Sequence, residues 1–123
     1  MSPWTAAALE RMDRADEMHV SSARPDGSLR PFVTIWFVRV DGALYVRSAY
    51  GPENGWFRRA RSSGTGRVRA GGVEKDVAFV VPDASTHDEV DAAYRRKYAR
   101  YPGIVGSVVG PEVWDVTLRL DPR

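Results

Sequence analysis

The sequence contains no cysteine among its 123 residues. This absence excludes a disulfide framework, thiol catalysis and any zinc or iron–sulfur site with cysteine ligands. Histidine occurs only at His19 and His87, and nothing in their spacing to serine or carboxylate residues favours a hydrolytic triad. We therefore predict no metal site, and the sequence identifies no catalytic residue.

Long apolar runs are also missing. No stretch approaches the roughly 20 residues that a membrane-spanning helix needs, and residues 1–5 lack the basic-then-apolar order of a signal peptide. The net charge is only +2, which is too small to indicate a nucleic-acid-binding protein. We expect a cytoplasmic protein in which residues 1–123 form one domain, without a membrane or nucleic-acid partner.

Lysine is scarce, since it occurs only at Lys75 and Lys97 and every other basic residue is arginine. Six arginines lie within residues 47–69: Arg47, Arg58, Arg59, Arg61, Arg67 and Arg69. Guanidinium groups bind phosphate bidentately, and a helix N-terminus near Gly55 would add backbone N–H donors. Ser48 adds a hydroxyl donor, and the Trp56 indole could cover a flat ring. From composition alone, a solvated basic face is the favoured interpretation and phosphate binding is the alternative.

Turn signals and apolar patterns predict a mainly β (α+β) fold. Tight turns are expected at Asp41-Gly42 and Gly71-Gly72, and they join neighbouring strands in antiparallel fashion. Strands are predicted over residues 18–21, 29–40, 43–48, 67–70, 73–81 and 111–120. Helices are predicted over residues 5–14, 56–61 and 85–100, the last ended by Pro102-Gly103. Together these elements predict a six-stranded antiparallel barrel with peripheral helices.

Two further patterns have ordinary structural explanations. Gly64-Thr65-Gly66 suggests a dinucleotide fingerprint, but Arg69 occupies the third glycine position and the run leads into a predicted strand. A stripe of tyrosines at Tyr94, Tyr98 and Tyr101 favours packing of the helix on the barrel together with a dimer contact.

Several segments, in this order, resemble one family. They are Arg30-Pro31 leading into residues 35–42, then residues 44–48, 55–57, 66–73 and 93–98. The chain resembles the DUF2255 family of the FMN-binding split β-barrel superfamily, which also contains pyridoxamine-phosphate oxidases and deazaflavin-dependent nitroreductases.

The resemblance implies a six-stranded split β-barrel and a homodimer with FMN or F420 in clefts at the subunit interface. The cofactor-binding positions that it implies are Arg30, Pro31, Thr34, Trp36, Arg47, Ser48, Gly55, Trp56, Arg58 and Arg59. The chain departs from the deazaflavin branch in the loop before Trp56, and from the pyridoxamine-phosphate branch in lacking its basic substrate-binding tail.

Two functions follow as hypotheses. The first is a flavin-class oxidoreductase acting on a small-molecule substrate that the sequence does not name, with the cofactor supplying the redox chemistry. The second is a flavin- or haem-binding or interaction module on the same scaffold that does not turn over. A barrel that binds nucleic acid through its arginines is disfavoured by the small net charge.

Overall fold

A computed structural model describes residues 3–123, and Met1 and Ser2 of the N-terminal segment considered above lie outside the described residues. Within this range the strands are β1 (Met18–Ser22), β2 (Val33–Ile35), β3 (Phe37–Val40), β4 (Ala43–Arg47), β5 (Thr65–Ala70), β6 (Val73–Val80) and β7 (Thr117–Pro122). The α-helices are α1 (Ala6–Asp13), α2 (Gly55–Ser63), α3 (His87–Lys97) and α4 (Pro102–Val108).

All seven strands form one antiparallel sheet in the order β2-β1-β5-β6-β7-β4-β3. Strands β2 and β3 lie at its two edges, although Trp36 alone separates them along the chain. The sheet must therefore curl until its edges meet, which makes a nearly closed barrel. The predicted antiparallel barrel is confirmed, with seven strands instead of six because the predicted strand 29–40 divides at Trp36.

The predicted turns and the first helix are also confirmed. Val40 pairs with Ala43 across the Asp41-Gly42 turn, where Asp41 adopts a φ of +52°. Helix α1 begins after Thr5, whose side-chain hydroxyl accepts a hydrogen bond of 3.1 Å from the backbone N–H of Ala8. This is the N-cap interaction that the Thr5 position predicts.

The C-terminal third differs from the prediction in three places. Residues 84–86 form a 3₁₀ turn capped by Asp83, so the α-helix starts only at His87. Pro102 begins α4 instead of ending a helix, because the first helical position needs no N–H donor. Residues 111–116 are a second 3₁₀ segment, and the last strand starts at Thr117.

Two apolar clusters hold the elements together. The barrel interior includes Met12, Met18, Phe37, Leu44, Val46, Val68, Leu118 and Leu120, each at most 1% exposed. A second cluster, between the outside of the barrel and α3 and α4, contains Val38, Tyr45, Val90, Ala93, Tyr94, Tyr98 and Val108. Phe37 and Val38 thus face different clusters, which explains why β3 is apolar on both faces. No helix within residues 3–123 is both long and apolar enough to cross a bilayer.

Gly66 allows β1 and β5 to approach closely. A Cβ atom at Gly66 would lie 2.1 Å from the backbone oxygen of Ser21 and 2.8 Å from Cε2 of Phe79. Neither position tolerates such a contact, because the Ser21 oxygen belongs to a strand and the Phe79 ring is buried. The glycine in the apparent fingerprint motif is therefore explained by strand packing.

We expect Gly66→Ala to lower the free energy of unfolding by about 1–3 kcal/mol, since the methyl group would overpack the contact between β1 and β5. The matched control is Gly106→Ala in α4, where a Cβ atom meets nothing within 4 Å. That change should be neutral or stabilising by about 0.5–1 kcal/mol. Urea unfolding measures both variants, and equal midpoints for Gly66→Ala and the parent would contradict the close contact.

Candidate functional site

The candidate site is an open cleft of about 1120 Å³ between the turn that follows β1 and helix α2. We call it the arginine cleft, because six arginines line it: Arg24, Arg30, Arg58, Arg59, Arg61 and Arg123. Ser62, Ser63 and Thr65 add hydroxyl groups to its wall. The volume is slightly above the range of about 300–1,000 Å³ that is typical of small-molecule sites.

Local hydrogen bonds hold the β1 turn against the end of α2. The Ala23 N–H donates to the Thr65 carbonyl at 3.0 Å, and Ala23 also pairs with Leu29 across the turn. The Arg30 N–H donates to the Ser22 carbonyl at 3.1 Å. Arg24 spans the turn, since its Nη1 donates to the Leu29 carbonyl at 2.9 Å. Two segments that are distant in sequence therefore present their arginines to one space.

The arginine cleft carries an excess of positive charge. No aspartate or glutamate side chain lines it, and none of its six arginines forms an ion pair within residues 3–123. The Nε of Arg30 is buried and has no hydrogen-bond acceptor in that same range. A buried donor without an acceptor costs about 1–3 kcal/mol.

The first turn of α2 also opens into the arginine cleft. Gly55, the first residue of α2, lines it, and a Cβ atom there would lie 2.8 Å from Nη1 of Arg59. The absence of a side chain lets the Arg59 guanidinium lie against the start of the helix. Backbone N–H groups and the helix dipole favour negative charge at such a helix end.

The arginines beyond α2 are paired, in contrast. Arg67 Nε lies 2.7 Å from Oδ1 of Asp76, and Arg69 Nε lies 2.8 Å from Oε2 of Glu74. These pairs connect neighbouring positions of β5 and β6 on the outside of the barrel. The arginine-rich stretch predicted from the sequence therefore divides into a paired group on the sheet and an unpaired group around α2.

Arg47 has a third environment, the protein interior. Its side chain is fully buried and forms an ion pair with Asp91, while Nε donates to Thr117 Oγ1 at 2.9 Å. Nη1 also donates to the Val108 carbonyl at 2.8 Å. Arg47 thus joins β4 to α3, to α4 and to the start of β7. Its donors are directed to these partners and not into the arginine cleft.

The carboxylate of Asp91 is satisfied from both sides. Its Oδ2 accepts hydrogen bonds from the Gly110 N–H at 3.2 Å and from the Trp114 indole N–H at 3.3 Å. The His87 ring stacks on Trp114 with 5.3 Å between ring centres. Burial, and then the positive charge of Arg47, lower the pKa of His87 below its ordinary value of 6.5.

The structure brings four of the ten predicted cofactor-binding residues together in the arginine cleft: Arg30, Gly55, Arg58 and Arg59. The other six lie outside its lining. Arg47 and Ser48 are buried, and the Ser48 hydroxyl donates to the Gly51 carbonyl at 2.7 Å.

The remaining predicted residues lie on β2, beside it or in α2. Pro31 and Thr34 are exposed, and Thr34 Oγ1 lies 3.0 Å from Nδ1 of His19. Trp36 packs half-buried on the second cluster, and Trp56 packs half-buried on the barrel interior with its ring at a right angle to Phe57. None of these side chains contributes to the lining of the arginine cleft.

Sequence reasoning missed Arg24, Ser62, Ser63, Thr65 and Arg123 as site residues. Arg61 was noticed in the arginine-rich stretch but not assigned to the site. The usable signal was the position of Arg24 beside a Pro-Asp-Gly turn, since turns at strand ends often carry binding residues. What joins Arg24 to α2 is the pairing of β1 with β5, which no local pattern reveals.

The barrel and its outer helices define a split-β-barrel protein. Residues 8–120 match the model of the family described as uncharacterized protein conserved in bacteria, DUF2255. The chain belongs to this family. No curated protein matches the chain.

Solved structures share the fold at low sequence identity. A candidate pyridoxamine 5′-phosphate oxidase from Listeria innocua superposes with a TM-score of 0.66 at 14% identity, over 95% of this chain and 91% of that one. The heme storage protein HutZ from Vibrio cholerae gives 0.65 at 12% identity, with 99% and 92% covered. An FAD-binding protein from Mesorhizobium loti gives 0.54 at 18% identity, with 99% and 92% covered.

We expect Asp91→Ala to lower the free energy of unfolding by about 3–5 kcal/mol, because Arg47 would remain buried without its counter-charge. Asp88→Ala is the matched control, since Asp88 is exposed in the first turn of the same helix. This change should lower the free energy of unfolding by about 1 kcal/mol or less. Urea denaturation followed by circular dichroism measures the difference. Similar losses in the two variants would contradict a structural role for the buried pair.

The lowered pKa of His87 makes stability dependent on pH. As the pH falls through 6.5, the unfolded chain binds a proton at this histidine while the folded chain stays neutral down to its lower pKa. The free energy of unfolding should therefore fall between pH 7.5 and 5.5, and His87→Phe should show a smaller fall. Parallel slopes for the parent and the variant would show that His87 does not contribute.

Proposed function

We propose that the arginine cleft holds the phosphate of a flavin-type cofactor, FMN or F420, and that the protein is an oxidoreductase using this cofactor. The observation that carries the proposal is the set of six arginines that line the cleft without an aspartate or glutamate side chain among the lining residues. The superfamily likeness supports a flavin-type group, and the arginine chemistry supports the cleft as the place where its anionic part would bind.

Electrostatics supports this assignment. Arginines that share a space repel one another, and no ion pair within residues 3–123 relieves the six of the cleft. A phosphate dianion accepts several charge-assisted hydrogen bonds, each contributing about 1.5–3 kcal/mol. The exposed side chains of Arg58 and Arg59, together with the start of α2 at Gly55, offer these donors on one side of the cleft.

The chain's own contribution would be binding and orientation. A bound flavin supplies the redox chemistry, so no acid or base of the protein is required. The arginine cleft is open and offers no aromatic side chain as a wall for a ring. We extend the proposal to a homodimer in which the second copy covers the ring.

Removal of the phosphate from the ligand tests the proposed site most directly. FMN should bind about tenfold or more tightly than riboflavin, which has the same ring but no phosphate. In the double variant Arg58→Ala/Arg59→Ala this preference should largely disappear, because two guanidinium groups that would bind the phosphate are removed. A tenfold preference corresponds to about 1.4 kcal/mol of binding free energy. Quenching of flavin fluorescence measures all four dissociation constants, and F420 is titrated in the same way.

Arg95→Ala is the control, because Arg95 is exposed on α3 and does not line the cleft. It should leave the preference for FMN unchanged. Equal affinities of the parent for FMN and riboflavin would reject the phosphate site. Affinities weaker than about 100 μM for FMN and F420, roughly −5.5 kcal/mol, would reject the cofactor. Tight binding without turnover of NAD(P)H or reduced F420 would favour the carrier hypothesis instead.

A further inference from the structure

The arginine cleft extends along the whole length of helix α2. Its lining includes Gly55, the first residue of α2, and Ser63, the last. An α-helix rises by 1.5 Å per residue, so these two residues lie about 12 Å apart along the helix axis. A phosphate oxygen accepts hydrogen bonds from donors within about 2.7–3.2 Å. A single phosphate beside the first turn of α2 therefore leaves the donors at the last turn for another group.

The last turn of α2 has cationic and hydroxyl donors of its own. Arg61 and Ser62 are exposed there, and both line the cleft. The hydrogen bond from the Ala23 N–H to the Thr65 carbonyl holds the β1 turn beside this end of the helix, where Arg24 is the next residue of the lining. The carbonyl groups at a helix C-terminus disfavour an anion, so the two guanidinium groups would have to supply the attraction.

Neutral groups hold the Arg24 guanidinium in position. Its Nη1 donates to the Leu29 carbonyl at 2.9 Å and to the Ser28 hydroxyl at 3.3 Å. Asp26 belongs to the same turn, but its Oδ1 accepts hydrogen bonds from the N–H and the hydroxyl of Ser28, and it forms no ion pair with Arg24 within residues 3–123. Arg24 is thus fixed by its turn while its charge stays available to a ligand.

The Arg61 guanidinium is held by an aromatic ring. Its Cζ lies 5.2 Å from the centre of the Phe57 ring, which is one turn earlier on α2 and is itself buried. This cation–π contact orients the cation without neutralising it. A side chain that is already positioned loses less conformational entropy when a ligand binds. Two positioned cations near the last turn of α2 are therefore better suited to binding an anion than mobile surface arginines are.

We propose that the arginine cleft binds two anionic groups, the cofactor phosphate beside the first turn of α2 and a second phosphate or carboxylate group beside its last turn. The inference rests on the proposed function, because the first group is the phosphate of the flavin-type cofactor. Six arginines carry more charge than one phosphate dianion neutralises, and a second anion relieves the remaining repulsion. F420 carries carboxylates on a glutamate tail beyond its phosphate, whereas with FMN a separate anionic small molecule supplies the second group.

Two titrations test for the second group and distinguish its sources. If the cofactor carries it, F420 should bind about tenfold or more tightly than the same cofactor without its glutamate residues. If a separate molecule carries it, inorganic pyrophosphate should bind to protein that is saturated with FMN without releasing the flavin. Calorimetry measures the binding, and flavin fluorescence reports release. Equal affinities for the two forms of F420, together with displacement of FMN by pyrophosphate, would overturn the proposal.

A pair of double variants tests the assignment to the last turn of α2. Arg24→Gln/Arg61→Gln should weaken the binding of the second group about tenfold or more, and the preference for FMN over riboflavin should persist. Arg95→Gln/Arg96→Gln removes the same charge from exposed positions of α3 that do not line the cleft, and it should change neither property. Circular dichroism verifies that both variants fold.

The two possible failures are distinguishable. Equal losses in the two double variants would show a general effect of charge and would overturn the assignment of the second group to this end of the cleft. A parent protein that prefers FMN to riboflavin but shows neither second effect would retain the phosphate site and lose only the second group. A parent without that preference would instead reject the proposed function on which the inference rests.

Discussion

Closure of the barrel at Trp36 is the constraint on which the rest of the structure depends. One residue separates β2 from β3, yet these strands occupy opposite edges of the sheet. A flat sheet could not satisfy both placements, so the sheet has to curl. With β2 at one edge, β1 lies between β2 and β5, and the turn after β1 is held beside the C-terminal end of α2. The arginine cleft exists because of this arrangement.

Arginine meets three different environments in this fold, and its energetics differ in each. On β5 and β6 the pairs are exposed, where an ion pair contributes about 0–1 kcal/mol. At Arg47 the charge is buried, so its cost of desolvation has to be offset by Asp91 and by neutral acceptors. In the arginine cleft no arginine forms an ion pair within the described residues, although Arg24 donates to the Leu29 carbonyl. Unpaired charge that converges on one open space is a feature of binding sites and adds nothing to stability.

The sequence predicted the fold better than the site. The alternation of side chains between the two strand faces over residues 43–48 and the Asp41-Gly42 turn are both local signals. A hairpin depends on little else. The segment 111–116 was predicted as a strand because Val116, Leu118 and Leu120 alternate with polar residues and Val113 and Trp114 extend this apolar pattern. In the structure it is a 3₁₀ segment that follows a backbone bend at Gly110, whose φ is +97°. Whether such a segment becomes a strand or a 3₁₀ segment depends on tertiary contacts, which a local sequence pattern does not reveal.

Arg47 shows why the site was harder to predict. Its position at the end of β4, beside Ser48, resembles that of a phosphate ligand, and only the packing of α3 reveals that Asp91 is its partner. By contrast, Arg58 and Arg59 could be recognised, because a nine-residue helix with two adjacent arginines must expose at least one of them. The family resemblance suggested the class of ligand that we propose, whereas burial separates the arginines of the cleft from the structural Arg47.

Burial has different consequences for lysine and for arginine in this protein. Arginine keeps its charge in any protein environment, so a buried arginine such as Arg47 requires a counter-charge. Lysine can lose its proton instead, so burial changes the reactivity of the amine as well as the free energy of burying it. Lys97 occupies a place where an arginine would have to be paired, with Asp13 at 3.7 Å and the Phe37 ring as its main neighbours. In a chain whose other basic residues are nearly all arginine, this position therefore combines burial with a proton that can leave.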